Sequence, residues 1–329
     1  SCSVTATKSA DGNYSSVSSS PTSVTIAQAA SSITTAPTAS GITYGQTLAD
    51  SNLSNGVGSV AGSFAFTSPS TAPNAGTTSY SVTFTPTSGN YATSTVSVSV
   101  DTAKASSSII TAPTASGITY GQTLADSILS GGTGSVSGSF AFTSPTTAPN
   151  AGTTSYSVTF TPSDTSNYQT ASTNVSVTTS KASVTITANP TASGITYGDT
   201  LADSTLSGGT ASVDGSFAWV DSTIAPLSGN RSVSVKFTPT DTNNYSTPSN
   251  FSITIAVAKA STSISVAPSA AAIPYSQNLA SATLSGGSGS VAGSFAFTAP
   301  STATSIGTAS YEVTFTPTSS HYTSSTTMV

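Results

Sequence analysis

The residues able to do acid–base, nucleophilic or metal chemistry in this chain are few: His321, Cys2, Glu312 and ten aspartates among 329 positions. One histidine and one cysteine exclude a two-histidine metal site and a disulfide within the chain. The aspartates recur in two settings. Asp50, Asp126 and Asp203 each close the string LAD, and Asp164 and Asp241 each precede an Asn-Tyr pair. Carboxylates repeated near the joints between units are candidate calcium ligands. Calcium, however, takes six to eight oxygens, and no DxDxDG-like cluster is present. Aspartate in a loop more simply accepts hydrogen bonds from its own backbone, so these five read as turn residues, with calcium as the one cofactor considered.

The remaining candidates have plain structural readings beside the chemical ones. Cys2 aligns with Val233 on the apolar face of a strand and reads as a small buried hydrophobe, and a lipid anchor there would require removal of Ser1. His321 stands where Asn244 stands one repeat earlier and reads as a solvated loop residue. Tyr44, Tyr120, Tyr197 and Tyr275 recur in register; they could stack sugars, but beside glycine at a strand end they read as packed core aromatics. Trp219 replaces Phe142 in register and reads the same way. Asn13, Asn52, Asn174, Asn230, Asn244 and Asn250 each begin an Asn-x-Ser sequon and are candidate glycosylation sites.

Serine and threonine together supply 132 of the 329 residues, whereas charged residues make up 5% and the formal net charge is −5. An acidic, charge-poor chain lacks the basic stripe that displaces counterions from nucleic acid. Its apolar runs are a few residues long, far short of a membrane span. The opening Ser1-Cys2-Ser3-Val4-Thr5 lacks the charged start and apolar segment of a secretory signal, so a signal has been removed or the chain is an internal piece.

Internal repetition organises everything else. TAPTASGITYGQTLADS occurs at Thr35–Ser51 and again, letter for letter, at Thr111–Ser127; it persists from Asn189 and decays after Ser269. The four aligned tyrosines lie 76, 77 and 78 residues apart. That length is too long for a solenoid unit and enough for a small domain. Within a unit the period is two: Tyr156, Val158 and Phe160 alternate with Ser157, Thr159 and Thr161, the pattern of a strand with one wet face. Six or seven such strands, separated by Gly, Pro, Asn and Asp, predict two antiparallel sheets packed face to face. The core in the second unit should hold Phe140, Phe142, Tyr156, Val158, Phe160, Val175 and Val177.

The units are expected at 29–104, 105–181, 182–259 and 260–329, the last lacking most of its final strand. Residues 1–28 align with 232–259 as the closing strands of a preceding, or donated, unit. The joints TAKAS, SKAS and AKAS contain no Gly or Pro. They predict a stiff extended rod, not a flexible tether.

The string ITYGQTLADSxLSGGxGSVxGSFAFTxP, followed by GTxSYSVTFTP, Asn-Tyr and a closing VSVTxxKA, resembles the tandem immunoglobulin-like repeats of large bacterial surface and adhesin proteins. The resemblance runs from about residue 29 to the C-terminus, with the partial copy before it. It implies an all-β fold of tandem immunoglobulin-like antiparallel sandwiches in an extended rod, and no catalytic residues. The expected function is non-enzymatic: an extracellular or cell-surface stalk of an adhesin or fibre. Its partners are neighbouring repeats or identical subunits, with host or cell-surface glycans bound through a module outside this chain. Two alternatives remain. One is a filament subunit joined by β-strand donation; the other, ranked lower, is a carbohydrate-binding module.

Overall fold

The computed structural model describes residues 2–329. Strands and loops make up the chain, with four single-turn 3-10 helices, at Leu48–Asp50, Leu124–Asp126, Leu201–Asp203 and Leu279–Ser281, as its helical segments. It divides into two compact units: one contains 2–118, 122–147 and 153–178, and the other 119–121, 148–152 and 179–329.

In the first unit, the alternating segments Gly62–Phe66, Gly76–Pro86 and Ser94–Ala103 form an antiparallel ladder, with Phe64 opposite Phe84 and Val82 opposite Val96. Ile42–Thr43 joins its edge in parallel, Thr102 pairing with Ile42, so this four-stranded sheet is mixed, not purely antiparallel. The departure follows from the position of ITY: the chain leaves the opposite layer there and runs alongside the closing strand in the same direction. The opposite layer is made of short pairs, Ile33–Thr35 with Val57–Gly58 and Thr38–Ala39 with Leu53–Ser54. A core of Ile42, Leu48, Phe66, Val82, Val98 and Val100 lies between the layers. The second unit repeats the arrangement, with a sheet ordered Gly215–Trp219, Gly229–Pro239, Phe251–Ala258, Ile195–Thr196 and a core around Leu201, Val235 and Ile255. The chain is therefore an all-β array of repeated immunoglobulin-like sandwiches.

The expected core is present: Phe142, Val158, Phe160, Val175 and Val177 are buried, and Phe140 and Tyr156 pack against them half-buried. Leucine of the LAD string, 1% exposed at Leu48, Leu124 and Leu201, is a core residue that the two-residue period does not reveal. It is delivered by the 3-10 turn, which the aspartate closes. Asp50 accepts from the Thr47 N–H at 2.8 Å and from its hydroxyl at 3.1 Å. Asp126 and Asp203 do the same to Thr123 and Thr200.

On the outward sheet faces, hydroxyls pair with hydroxyls across the strands. Ser79 meets Ser99 at 3.1 Å, Thr67 meets Thr83 at 2.8 Å and Thr153 meets Thr178 at 3.0 Å. Among the described residues one ion pair occurs, Lys8 with Asp11 at 3.7 Å, both exposed. Thr102 and Thr179 bring hydroxyls into the interior, each 3% exposed and with Oγ1 lacking a hydrogen-bond partner.

Cys2 is exposed, contrary to its reading as a buried hydrophobe. The strand Cys2–Val4 pairs with Thr22–Val24 in a two-stranded sheet that no second layer covers, and Val4 and Val24 are likewise 56% and 47% exposed.

Candidate functional site

The polar side chains that the fold brings together meet where one repeat's tyrosine-bearing strand end faces the Asn-Tyr loop of the next. Two of the joints are built from three recurring pieces: the Tyr that ends ITY, the Pro-Asn-Ala loop, and the Asn-Tyr loop that follows the Phe-Thr-Pro strand; in the third, Pro226-Leu227-Ser228 and His321-Tyr322 take the places of the last two.

In the first unit the joint centres on Asn167, 7% exposed. Its Oδ1 accepts the Ala75 N–H at 2.8 Å, its Nδ2 donates to Asp164 Oδ2 at 2.8 Å and reaches Asn74 Oδ1 at 3.4 Å. Tyr44 stands edge-on to Tyr168, centroids 5.4 Å apart. The connecting segment is stitched down on both sides: the Ala105 N–H donates to the Asn167 carbonyl and the Gln169 N–H to the Ala105 carbonyl, both at 2.9 Å, while Lys104 Nζ donates to the Thr165 carbonyl at 2.6 Å.

The second unit contains two more. Around Asn244, 8% exposed, the partners are the Ala151 N–H at 2.8 Å, Asp241 Oδ2 at 2.8 Å, and the Tyr120–Tyr245 edge contact at 5.4 Å. Lys181 Nζ again reaches a loop carbonyl, that of Thr242, at 2.6 Å. In the other joint His321 replaces the asparagine. Its ring stacks on Tyr197 with centroids 4.7 Å apart, and its Nδ1 lies 2.9 Å from Ser228 Oγ, where the other joints have alanine. Tyr322 completes the edge contact with Tyr197 at 5.4 Å.

Hydrogen bonding also sets the local electrostatics. The Asn244 amide, donating to Asp241, is the largest influence holding that carboxyl below its ordinary value. Asp203 is lowered first by the Thr200 backbone N–H and then by the Thr200 hydroxyl; Asp221 is lowered first by the Thr223 hydroxyl.

These placements correct several expectations. His321 is half-buried and stacked, not a solvated loop residue, because the tyrosine of the preceding repeat provides a ring face for it. Tyr44, Tyr120 and Tyr197 are half-buried at joints, Tyr197 also packing against the core of its own repeat, whereas Tyr275 is 72% exposed. The sequon residue Asn244 is buried, its amide oxygen accepting the Ala151 N–H and its amide nitrogen donating to Asp241. Asn13, Asn52, Asn174, Asn230 and Asn250 are exposed. Trp219 is half-buried and packs against the core, its indole N–H donating to the Ser204 carbonyl at 3.2 Å. Of the calcium candidates, Asp50, Asp126 and Asp203 are engaged in closing 3-10 turns and Asp164 and Asp241 in holding Asn167 and Asn244. Among the described residues no three metal-ligating side chains gather. The signal for the joint was present in the sequence as Asn-Tyr recurring at one repeat's spacing, but a loop asparagine carries no mark of what it will touch.

No family model matches the chain, and no curated protein matches it. Among solved structures, it is similar to the Sidekick-1 immunoglobulin domains 1–5 at 12% identity over 77% of this chain, with TM-score 0.25; the match spans 65% of that fragment, just under two thirds. A titin I-band fragment, I67–I69, aligns at 8% identity over 69% of this chain and 97% of its own, with TM-score 0.29. Drosophila N-cadherin EC1–4 aligns at 11% identity over 77% of this chain and 82% of its own, with TM-score 0.20.

Proposed function

We propose that this chain is a non-enzymatic, extracellular structural protein: a stretch of stalk, of the kind that carries an adhesive module away from a surface. The observation that supports this reading most is the joint. Tyrosine, turn and loop meet three times, with His321 in place of the asparagine and Pro226-Leu227-Ser228 in place of Pro-Asn-Ala in the third, and each meeting is a contact that limits bending between successive repeats. A buried amide that accepts from one repeat and is held by its own aspartate resists displacement, because leaving such groups unpaired costs about 1–3 kcal/mol each. Two aromatic rings edge to edge add about 0.5–1.5 kcal/mol. A flexible tether has neither.

The test is stretching of the full chain in an optical trap. Wild type should show a bending stiffness that falls when Asn167 and Asn244 are both replaced by alanine, with the unfolding forces of the sandwiches little changed. A stiffness equal in both proteins would overturn the reading.

Assembly through a donated strand is the competing reading. It draws on Val24 and Ile26, 47% and 74% exposed, which occupy the positions that Ile255 and Val257 hold when 0% and 5% exposed. Light scattering separates the two: a concentration-independent monomer leaves the stalk, and growth abolished by deleting residues 1–28 replaces it with a filament.

A further inference from the structure

The link between the short strands Leu53–Ser54 and Val57–Gly58 is Asn55-Gly56, where the other three repeats have Gly131-Gly132, Gly208-Gly209 and Gly286-Gly287. Two constraints act on it. The first position takes a left-handed backbone in every repeat: φ is 61° at Asn55 and 68°, 66° and 70° at Gly131, Gly208 and Gly286. Among residues with a side chain, asparagine is one of the few that enter this region readily. The second position has no room for a side chain. A Cβ on Gly56 would lie 2.7 Å from the Phe64 ring and 3.0 Å from Pro37, and one on Gly132, Gly209 or Gly287 would lie 2.9, 2.9 or 3.0 Å from the ring of Phe140, Phe217 or Phe295. An asparagine that enters this turn is therefore always followed by glycine, and Asn55-Gly56 is the chain's one Asn-Gly pair.

That pair has a chemistry of its own. The main-chain nitrogen that follows an asparagine is placed to attack the side-chain amide carbon, and glycine, having no side chain, hinders the attack least. The surroundings leave both reacting groups free. Asn55 is exposed, and its Nδ2 makes only long contacts, 3.4 Å to Thr38 Oγ1 and 3.5 Å to Ser54 Oγ. The Gly56 N–H donates to no protein acceptor among the described residues, so no hydrogen bond within the protein has to break before its proton is lost. Asn167 and Asn244 are the opposite case: both are buried, both have their amides engaged, and both precede tyrosine.

We propose that Asn55 is a site of spontaneous deamidation in the folded chain. Gly56 N gives its proton to solvent and bonds to Asn55 Cγ; the Cγ–Nδ2 bond breaks, and the amide nitrogen takes up a proton and leaves as ammonia. The resulting five-membered imide is opened by water. Opening at Cγ leaves aspartate, and opening at the Asn55 main-chain carbonyl leaves isoaspartate, in which the main chain runs through the former side chain and is one carbon longer between Ser54 and Val57. Either product takes the formal net charge from −5 to −6. The three glycine turns have no amide to lose, so the change is confined to the first repeat. The experiment is incubation of the full chain in mildly alkaline buffer, folded and in urea, followed by isoelectric focusing and peptide mass spectrometry with fragmentation that distinguishes isoaspartate from aspartate. The folded chain should develop an acidic band, and the peptide bearing Asn55 should gain the mass of an amide-to-acid exchange before any other asparagine does. Its folded rate should stand within about tenfold of the rate in urea, the most that one ordinary hydrogen bond would slow it. Asn55→Gly, the residue of the other repeats, should remove the acidic band. A folded rate slower than that range, an earlier conversion at another asparagine, or an acidic band that persists in Asn55→Gly overturns the proposal. The stalk reading is judged separately, by the stiffness of the Asn167 and Asn244 variants.

Discussion

Replacing Thr102 by valine should stabilise the protein. Thr102 lies on the closing strand opposite Ile42, 3% exposed, with Oγ1 unpartnered, and Thr179 repeats the defect one repeat later. Nature has already made the substitution in the third repeat: Val257 pairs with Ile195 in the same register and is 5% exposed. Valine and threonine are nearly equal in volume, so the exchange removes a buried hydroxyl without opening a cavity. An unpartnered buried hydroxyl costs about 1–3 kcal/mol in mutational series. Each of Thr102→Val and Thr179→Val should recover about that amount, and Val257→Thr should lose it. For a domain of this size one kcal/mol moves the midpoint by roughly 4–8 °C. The assay is urea unfolding of the full chain, comparing midpoints at unchanged slope, with calorimetry beside it. Two results would refute the reasoning: destabilisation by Thr102→Val, which would mean that the hydroxyl has a partner worth more than its burial, or a neutral Val257→Thr.

Asn244→Ala removes the acceptor of the Ala151 N–H, and the loss of one hydrogen bond, about 0.5–1.5 kcal/mol, should speed exchange of that amide several-fold while Ala75, bonded to Asn167, is unaffected; hydrogen exchange by mass spectrometry reads both. Gly138→Ala should destabilise the second repeat by about 1–3 kcal/mol, since a Cβ there would lie 2.5 Å from the Thr161 carbonyl oxygen as well as against the Phe160 ring, whereas the nearest atoms to a Cβ at Gly134 are those of the Phe160 ring, and Gly134→Ala should cost less, as Ala211 in the same position of the third repeat indicates; paired denaturation curves decide it. Asp203, Asp221 and Asp241 have carboxyls lowered by hydrogen bonds in the folded chain. A lowered folded value means that the unfolded chain takes up protons first as the pH falls, so the stability these groups contribute is whole above about pH 4 and is lost progressively below it. Melting temperature followed from pH 6 to pH 2 should therefore decline most steeply below pH 4, and Asp241→Asn should flatten part of that decline.

The fold was legible because the sequence states it several times. Tyr156-Ser157-Val158-Thr159-Phe160 alternates so regularly that the strand, its buried face and the sandwich follow from side-chain geometry alone, and Phe142, Val158 and Val177 are buried as that face requires. The parallel edge strand was not legible, since Ile42–Thr43 is two residues long and its partner is chosen by the path of the chain. Leu48 was hidden for a related reason: a single 3-10 turn has no period to detect. The joint escaped because its contacts join residues about 93 apart, such as Asn167 with Asn74. Periodicity within a repeat says nothing about what one repeat's loop offers the next. His321 shows this most sharply, for the same loop position becomes a half-buried, stacked ring once Tyr197 is placed beneath it.

The pairing of hydroxyl with hydroxyl across the outward strands has a consequence for the medium in which such a molecule can work. Coulomb attraction between surface charges weakens as dissolved ions accumulate, with a screening length that shrinks from about 10 Å at 0.1 M to about 3 Å at 1 M. Bonds such as Ser79 to Ser99 and Thr153 to Thr178 involve no net charge, and the described residues contain a single exposed ion pair. Rising salt therefore has almost no ion-pair attraction to remove from this surface, and the hydroxyl pairs that join its strands do not depend on charge.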